Sequence, residues 1–237
     1  MPRLLQREID KLKKQILSLG ADVEESVRLA VRAIAARDAD LAREVIEGDV
    51  KIDEQEVALE EECLKILALH QPVADDLRFI VAVLKINNDL ERIGDLAGHL
   101  AERARSLSRV SAATVPPDLL TMAERVQTML SKSLDALVNL DMDAALFVCN
   151  ADDAVDDIHR SMYRRTKAGI RQSPESLDWL LQLLSASRYL ERIADQTTNI
   201  AEDVIYLIGG DIIRHRGIGH RNRLSDEEDL PPETKTP

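Results

Sequence analysis

The chain has 237 residues, 45% of them hydrophobic and only 3% aromatic, so any sizeable core is built from Leu, Ile, Val and Ala. That composition favours helix bundles over a β-sandwich or barrel. Asp and Glu number 43 against 31 Lys and Arg, a net charge of −12. Such a surface repels a nucleic-acid backbone and attracts cations, which excludes DNA or RNA as the main partner and makes a metal ion the natural small ligand.

In chain order, Leu5, Ile9, Leu12, Ile16, Leu19, Val23, Val27, Ala30 and Ile34 alternate by threes and fours, which predicts one long amphipathic helix that Gly20 weakens without breaking. A second helix is expected to start at Asp38 or Asp40, with Val45, Ile52, Leu59 and Ile66 at heptad spacing, and to end before Pro72. A third runs from about Asp75 to Ser108, and Thr114-Val115-Pro116-Pro117 breaks the chain. Three further helices follow at about 118–139, 142–170 and 175–208, punctuated by Asp141 and Ser173-Pro174.

The second half repeats the first. A shift of 103 places Val45, Asp49, Ile52, Asp53 and Leu59 on Val148, Asp152, Val155, Asp156 and Met162. A shift of 100 places Leu90–Glu102 on Leu190–Glu202, with seven of thirteen positions identical, more than chance gives two amphipathic helices. The expected fold class is therefore all-α: two tandem three-helix bundles, six long helices with internal pseudo-symmetry. Residues 1–112 and 117–213 form the two units, and 216–237 is a polar tail without apolar period, expected to be disordered.

Cys63 and Cys149 form no CxxC and fall within helical patterns, as small buried thiols suited to a reducing cytosol. The amphipathic first residues lack the apolar run of a signal peptide, and Phe79 to Leu84 is far too short for a membrane span. The expected location is cytoplasmic, with membrane association only through partners. No Gly-rich phosphate loop, GxSxG elbow or ordered Cys, His and acid set is present, so no catalytic residue is assigned and an enzyme is not expected.

Carboxylates recur in pairs four residues apart: Asp49/Asp53, Glu91/Asp95, Asp152/Asp156 and Glu191/Asp195, with Asp153/Asp157 a shifted alternative to the third. On a helix each pair shares one face. Hard oxygen ligands concentrated this way suit Mg²⁺, Mn²⁺, Ca²⁺ or iron and not a Cys/His zinc site. The same spacing also fits solvated helix faces with Arg92 and Arg192 as local counter-charges. Recurrence of all four pairs at matched places sets a ligating role level with that reading. The wheel sets Glu91 and Asp95 opposite Leu90, Ile93, Ala97 and Leu100, so their stripe, continued by Glu102, should face water. His99 and its counterpart Asn199 are auxiliary-ligand candidates or plain polar positions. Asp156 and His159 faintly resemble half of a di-iron motif, although the repeat has Glu56 in place of His159.

Gln71-Pro72-Val73-Ala74-Asp75-Asp76-Leu77-Arg78, then Leu90-Glu91-Arg92-Ile93-Gly94-Asp95 and Leu190-Glu191-Arg192-Ile193-Ala194-Asp195 through Glu202, resemble the PhoU phosphate-transport regulators. The resemblance covers nearly the whole chain, to Gly209-Gly210-Asp211 and His215. It implies two three-helix bundles, metal bound at Asp49, Asp53, Glu91 and Asp95 in one repeat and Asp152, Asp156, Glu191 and Asp195 in the other, and frequent homodimers. It also implies negative regulation of phosphate uptake and of the starvation response, through the ATPase of a Pst-type phosphate ABC transporter and a phosphate-sensing histidine kinase. The alternatives are a di-metal carboxylate enzyme or metal-storage bundle, which lacks its Glu-x-x-His pairs here, and a plain helical scaffold.

Overall fold

The computed structural model describes residues 2–110 and 114–210. The proposed tail at 216–237 lies outside the described residues. Six α-helices account for nearly all of these: α1 Pro2–Ala36, α2 Ala39–His70, α3 Ala74–Leu107, α4 Pro117–Asn139, α5 Met142–Gln172 and α6 Leu177–Gly209. A 3-10 turn at Pro174–Ser176 precedes α6, so the last helix starts slightly later than its apolar period suggests.

The local chemistry of helix entry is duplicated. Asp38 caps α2 by accepting from the N–H groups of Asp40 and Leu41, and Asp141, 103 residues later, caps α5 by accepting from Asp143 and Ala144. Just before each cap, Arg37 at φ 55° and Leu140 at φ 51° reverse the chain. Each cap's own N–H donates to the carbonyl of Ala33 or Ala136, another pair separated by 103. Short turns of this kind force antiparallel neighbours, giving an α1–α2–α3 bundle and an α4–α5–α6 bundle.

The two bundles share a seam between α3 and α6. Lys85 meets Asp203, His99 stacks on Tyr189 and Arg103 donates to Gln182, so numbers rise on one helix as they fall on the other. The helices are antiparallel. One apolar cluster drawn from all six helices runs through both bundles. Gly20 marks a further junction: a Cβ there would stand 2.8 Å from Leu134 Cδ2, so its lost helix propensity is exchanged for close contact between α1 and α4. Arg37 adds a polar tie, donating to the carbonyls of Leu107 and Val110 while its guanidinium lies 5.4 Å from the Trp179 ring centre. None of the described helices is long and apolar enough to cross a membrane.

Candidate metal-binding seams

The acidic stripe of α3 does not face open water. Glu91 and Asp95 are half-buried, with side chains of α2 packed close to that face. Gly94 makes that packing possible: a Cβ there would come within 3.0 Å of Ile52 and 3.3 Å of Asp49 Oδ1, while at Gly98 it would lie 3.7 Å from Asp49 Oδ2. Two glycines four residues apart thus form a shallow seat for the Asp49 carboxylate.

Within this first seam, burial and then the negative charges of Asp53 and Asp95 hold Asp49 above the ordinary carboxylate range, with His99 partly offsetting them. Glu91 is raised by burial, then by Asp95, Asp53 and Glu56, with Arg92 opposing. All four expected carboxylates of the repeat therefore act on one another. Asp49 Oδ1 is buried without a hydrogen-bond partner. An oxygen so placed, among like charges, bears a desolvation cost that a hydrogen-bond donor or a cation would offset.

The second seam repeats the arrangement at the junction of α5 and α6. Asp152 is only 7% exposed and its pKa is pushed up to about 7, by burial and then by Asp195, Asp156, Asp153 and Glu191. Glu191 is also raised to about 7, by burial and then Asp195 and Asp156, against Arg188 and Arg192. Ala194 and Thr198 stand where the first repeat has Gly94 and Gly98, and the seat is correspondingly more closed. Asp152 Oδ1 and Thr198 Oγ1 are both buried without hydrogen-bond partners.

The eight carboxylates thus fall into two sets of four whose members act on one another electrostatically. Among the described residues, no three His, Cys, Asp or Glu side chains already converge as a metal-ligating group. The donor set suits a hard cation, with unpartnered oxygens and mutual repulsion to relieve, and the aspartates at its edges retain solvent exposure from which to reorient.

A histidine acts electrostatically on a carboxylate of each seam, His99 on Asp49 and His159 with Asp156. His99 rests on Tyr189 of the other repeat, with ring centres 5.4 Å apart, so its contact is between bundles. His159 is half-buried on α5 with Nδ1 3.0 Å from Ser187 Oγ. The Ser187 hydroxyl donates to the Leu184 carbonyl, so it accepts from His159 Nδ1–H, leaving Nε2 with its lone pair. Burial lowers the His159 pKa, and Asp156 beside it acts in the opposite sense. The weak Asp156/His159 spacing was the available signal for this neutral imidazole. The matched contact in the first repeat has Asn87 donating to the Glu56 carbonyl at 2.9 Å, so the same helix contact carries different chemistry.

Apart from the seams, a groove of about 500 Å³ opens among α1, α3, α4 and α6, lined by Ile9, Phe79, Leu137 and Leu207 with Lys13 and Arg78 at its edge. Both cysteines are buried and free, and burial pushes each thiol up to about 12.

These features define an all-helical tandem-repeat protein with one carboxylate seam per repeat. A family model described as the PhoU domain matches residues 16–104 and again 119–204. The phosphate-specific transport system accessory protein PhoU homolog of Pseudomonas aeruginosa is 37% identical over 221 residues, 93% of this chain and 90% of that protein. The phosphate-specific transport system accessory protein PhoU of Escherichia coli is 31% identical over 217 residues, 92% of this chain and 90% of that one. The crystal structure of PhoU from Pseudomonas aeruginosa matches with TM-score 0.83 at 37% identity, covering 87% of this chain and 99% of that chain. That of the phosphate transport system regulatory protein PhoU from Streptococcus pneumoniae gives 0.81 at 29% identity, over 88% and 98% of the two chains. The chain belongs to the PhoU family.

Proposed function

We propose that this protein is a non-catalytic, metal-binding regulator of phosphate transport. It restrains uptake through a Pst-type phosphate ABC transporter, by contact with the transporter ATPase, and keeps a phosphate-sensing histidine kinase quiet when phosphate is plentiful. It acts in the cytoplasm as a homodimer. The observation that carries this reading is the family match to both repeats, each with its carboxylate group at the same helix crossing.

Asp49, Asp53, Glu91 and Asp95 would hold metal in one repeat and Asp152, Asp156, Glu191 and Asp195 in the other. The native ion belongs to the hard or borderline group of Mg²⁺, Mn²⁺, Fe or Ca²⁺. Bound cations would neutralise the repulsion that now raises the seam carboxylates and would fix the α2–α3 and α5–α6 crossings. The chain's own contribution is the seat: Gly94 and Gly98 admit Asp49, and in the second repeat, with Ala194 and Thr198 at the matched places, Asp152 is nearly enclosed.

The test is deletion in the source organism, with phosphate uptake and starvation-gene expression followed in phosphate-replete medium. Both are expected to rise and to be restored by the wild-type copy. Unchanged uptake and expression, in a strain with every other copy of the family removed, would refute the regulatory reading.

A further inference from the structure

A second heptad row runs along the outer face of α2. Val50, Val57 and Leu64 are 60%, 51% and 53% exposed, while Val45, Ile52, Leu59 and Ile66 on the inner face are buried. Fourteen residues of helix span about 21 Å, enough to seat three turns or more of a partner helix. The fold does not require this row. The places 103 residues later on α5 are Asp153, Arg160 and Lys167, which are exposed and charged.

Charge selects the occupant. Glu54 and Glu61 are interleaved with the three apolar residues and Glu47 lies one turn before them, all exposed and none in an ion pair among the described residues. The nearby cations are engaged elsewhere: Lys51 with Asp22 at 2.8 Å, Lys65 with Glu62 at 3.6 Å and Arg43 with Asp40 at 3.0 Å. A second copy of this face would set glutamates against glutamates, which costs stability in either orientation.

We propose that the outer face of α2 docks a basic amphipathic helix of another protein, one that offers apolar residues at heptad spacing flanked by Lys or Arg. The row fills the partner's apolar seam, and Glu54 and Glu61 pair with its cations. This surface belongs to the first repeat alone.

The experiment measures fluorescence anisotropy of a labelled synthetic helix of about three heptads, with Leu in the seam and Lys beside it, at physiological salt and in chelator. Controls are a peptide with Glu in place of each Lys and a scrambled peptide of the same composition. The basic amphipathic peptide is expected to bind at least about tenfold more tightly than either control. Val57→Asp and the pair Glu54→Lys/Glu61→Lys should each weaken it about tenfold or more, while Glu124→Lys on α4 leaves it unchanged. All these positions face water, and circular dichroism checks that the variants remain helical. Equal binding of the scrambled peptide, or indifference to Val57→Asp, would overturn the proposal. So would a dimer in sedimentation equilibrium that Val57→Asp dissociates, because it would make a second copy the occupant.

Discussion

The two repeats place the same four carboxylates at the same helix crossing and surround them differently. In the first, Gly94 and Gly98 leave Asp49 half-exposed beside them. In the second, Ala194 and Thr198 stand at those places, Asp152 is nearly enclosed, and both Asp152 and Glu191 are raised to about 7. The shared donor set is thus desolvated to different extents in the two repeats, which differ at these two positions. The matched sequence motif does not make matched sites.

The largest expected effect separates the two sites outright. Glu91→Ala/Asp95→Ala should remove the first repeat's metal and keep the second's, and Glu191→Ala/Asp195→Ala should do the reverse, as read by elemental analysis after reconstitution with Mn²⁺. Unaltered stoichiometry in either double variant would return its carboxylates to being ordinary helix-face charges.

The junction between repeats is also unequal. Lys85 pairs at 3.3 Å with Asp203, whose side chain is 2% exposed, whereas Arg103, at the place matching Asp203, reaches across the seam only to the neutral Gln182 and pairs with Glu102 of its own helix at 3.1 Å. Lys85→Met should cost about 2 kcal/mol in chemical denaturation, discounted from a fully buried pair because the amine reaches solvent. Arg103→Met should cost about 0.5 kcal/mol. Equal losses would mean that the charge at Asp203 is of no special importance to the seam.

Asp152→Asn sharpens the difference in burial. A carboxyl whose folded pKa is raised contributes its full stability below the unfolded value of 3.8 and loses it as pH rises through about 7. In metal-free protein the Asn variant should thus match wild type near pH 4, gain across that window, and be more stable by about 1–3 kcal/mol at about pH 8. Asp49→Asn should gain less, because its seat is more open. Thermal melts at the two pH values decide it.

The smallest effect is an expected equality. Cys63 in the first repeat and Cys149 in the second are both buried, with thiols raised to about 12. Neither should be alkylated in the native protein at neutral pH, and both should react at similar rates once it is unfolded. Rapid native labelling of one cysteine, followed by mass spectrometry, would show that its repeat opens locally.

Much of this was legible in the residues. The offsets of 103 and 100, the apolar periods, the Asp38 and Asp141 caps and the four carboxylate pairs are local, because side chains three, four and seven apart share a helix face wherever the helix goes. The family resemblance rested on those same segments. The Glu91/Asp95 stripe is half-buried where a helical wheel sets it toward water, because a wheel orients residues only against their own helix. Which neighbour lies over a face depends on interhelical crossing, and the signal that α2 could do so was Gly94 and Gly98. The antiparallel α3–α6 seam, the enclosure of Asp152 and the His99–Tyr189 stack join residues about 90 or more positions apart or in different helices, and no periodicity encodes them. Sequence determined the helices, their repeat and the chemistry each face carries; tertiary packing alone decided which faces meet and how much water remains between them, because burial is a property of the neighbours a surface acquires.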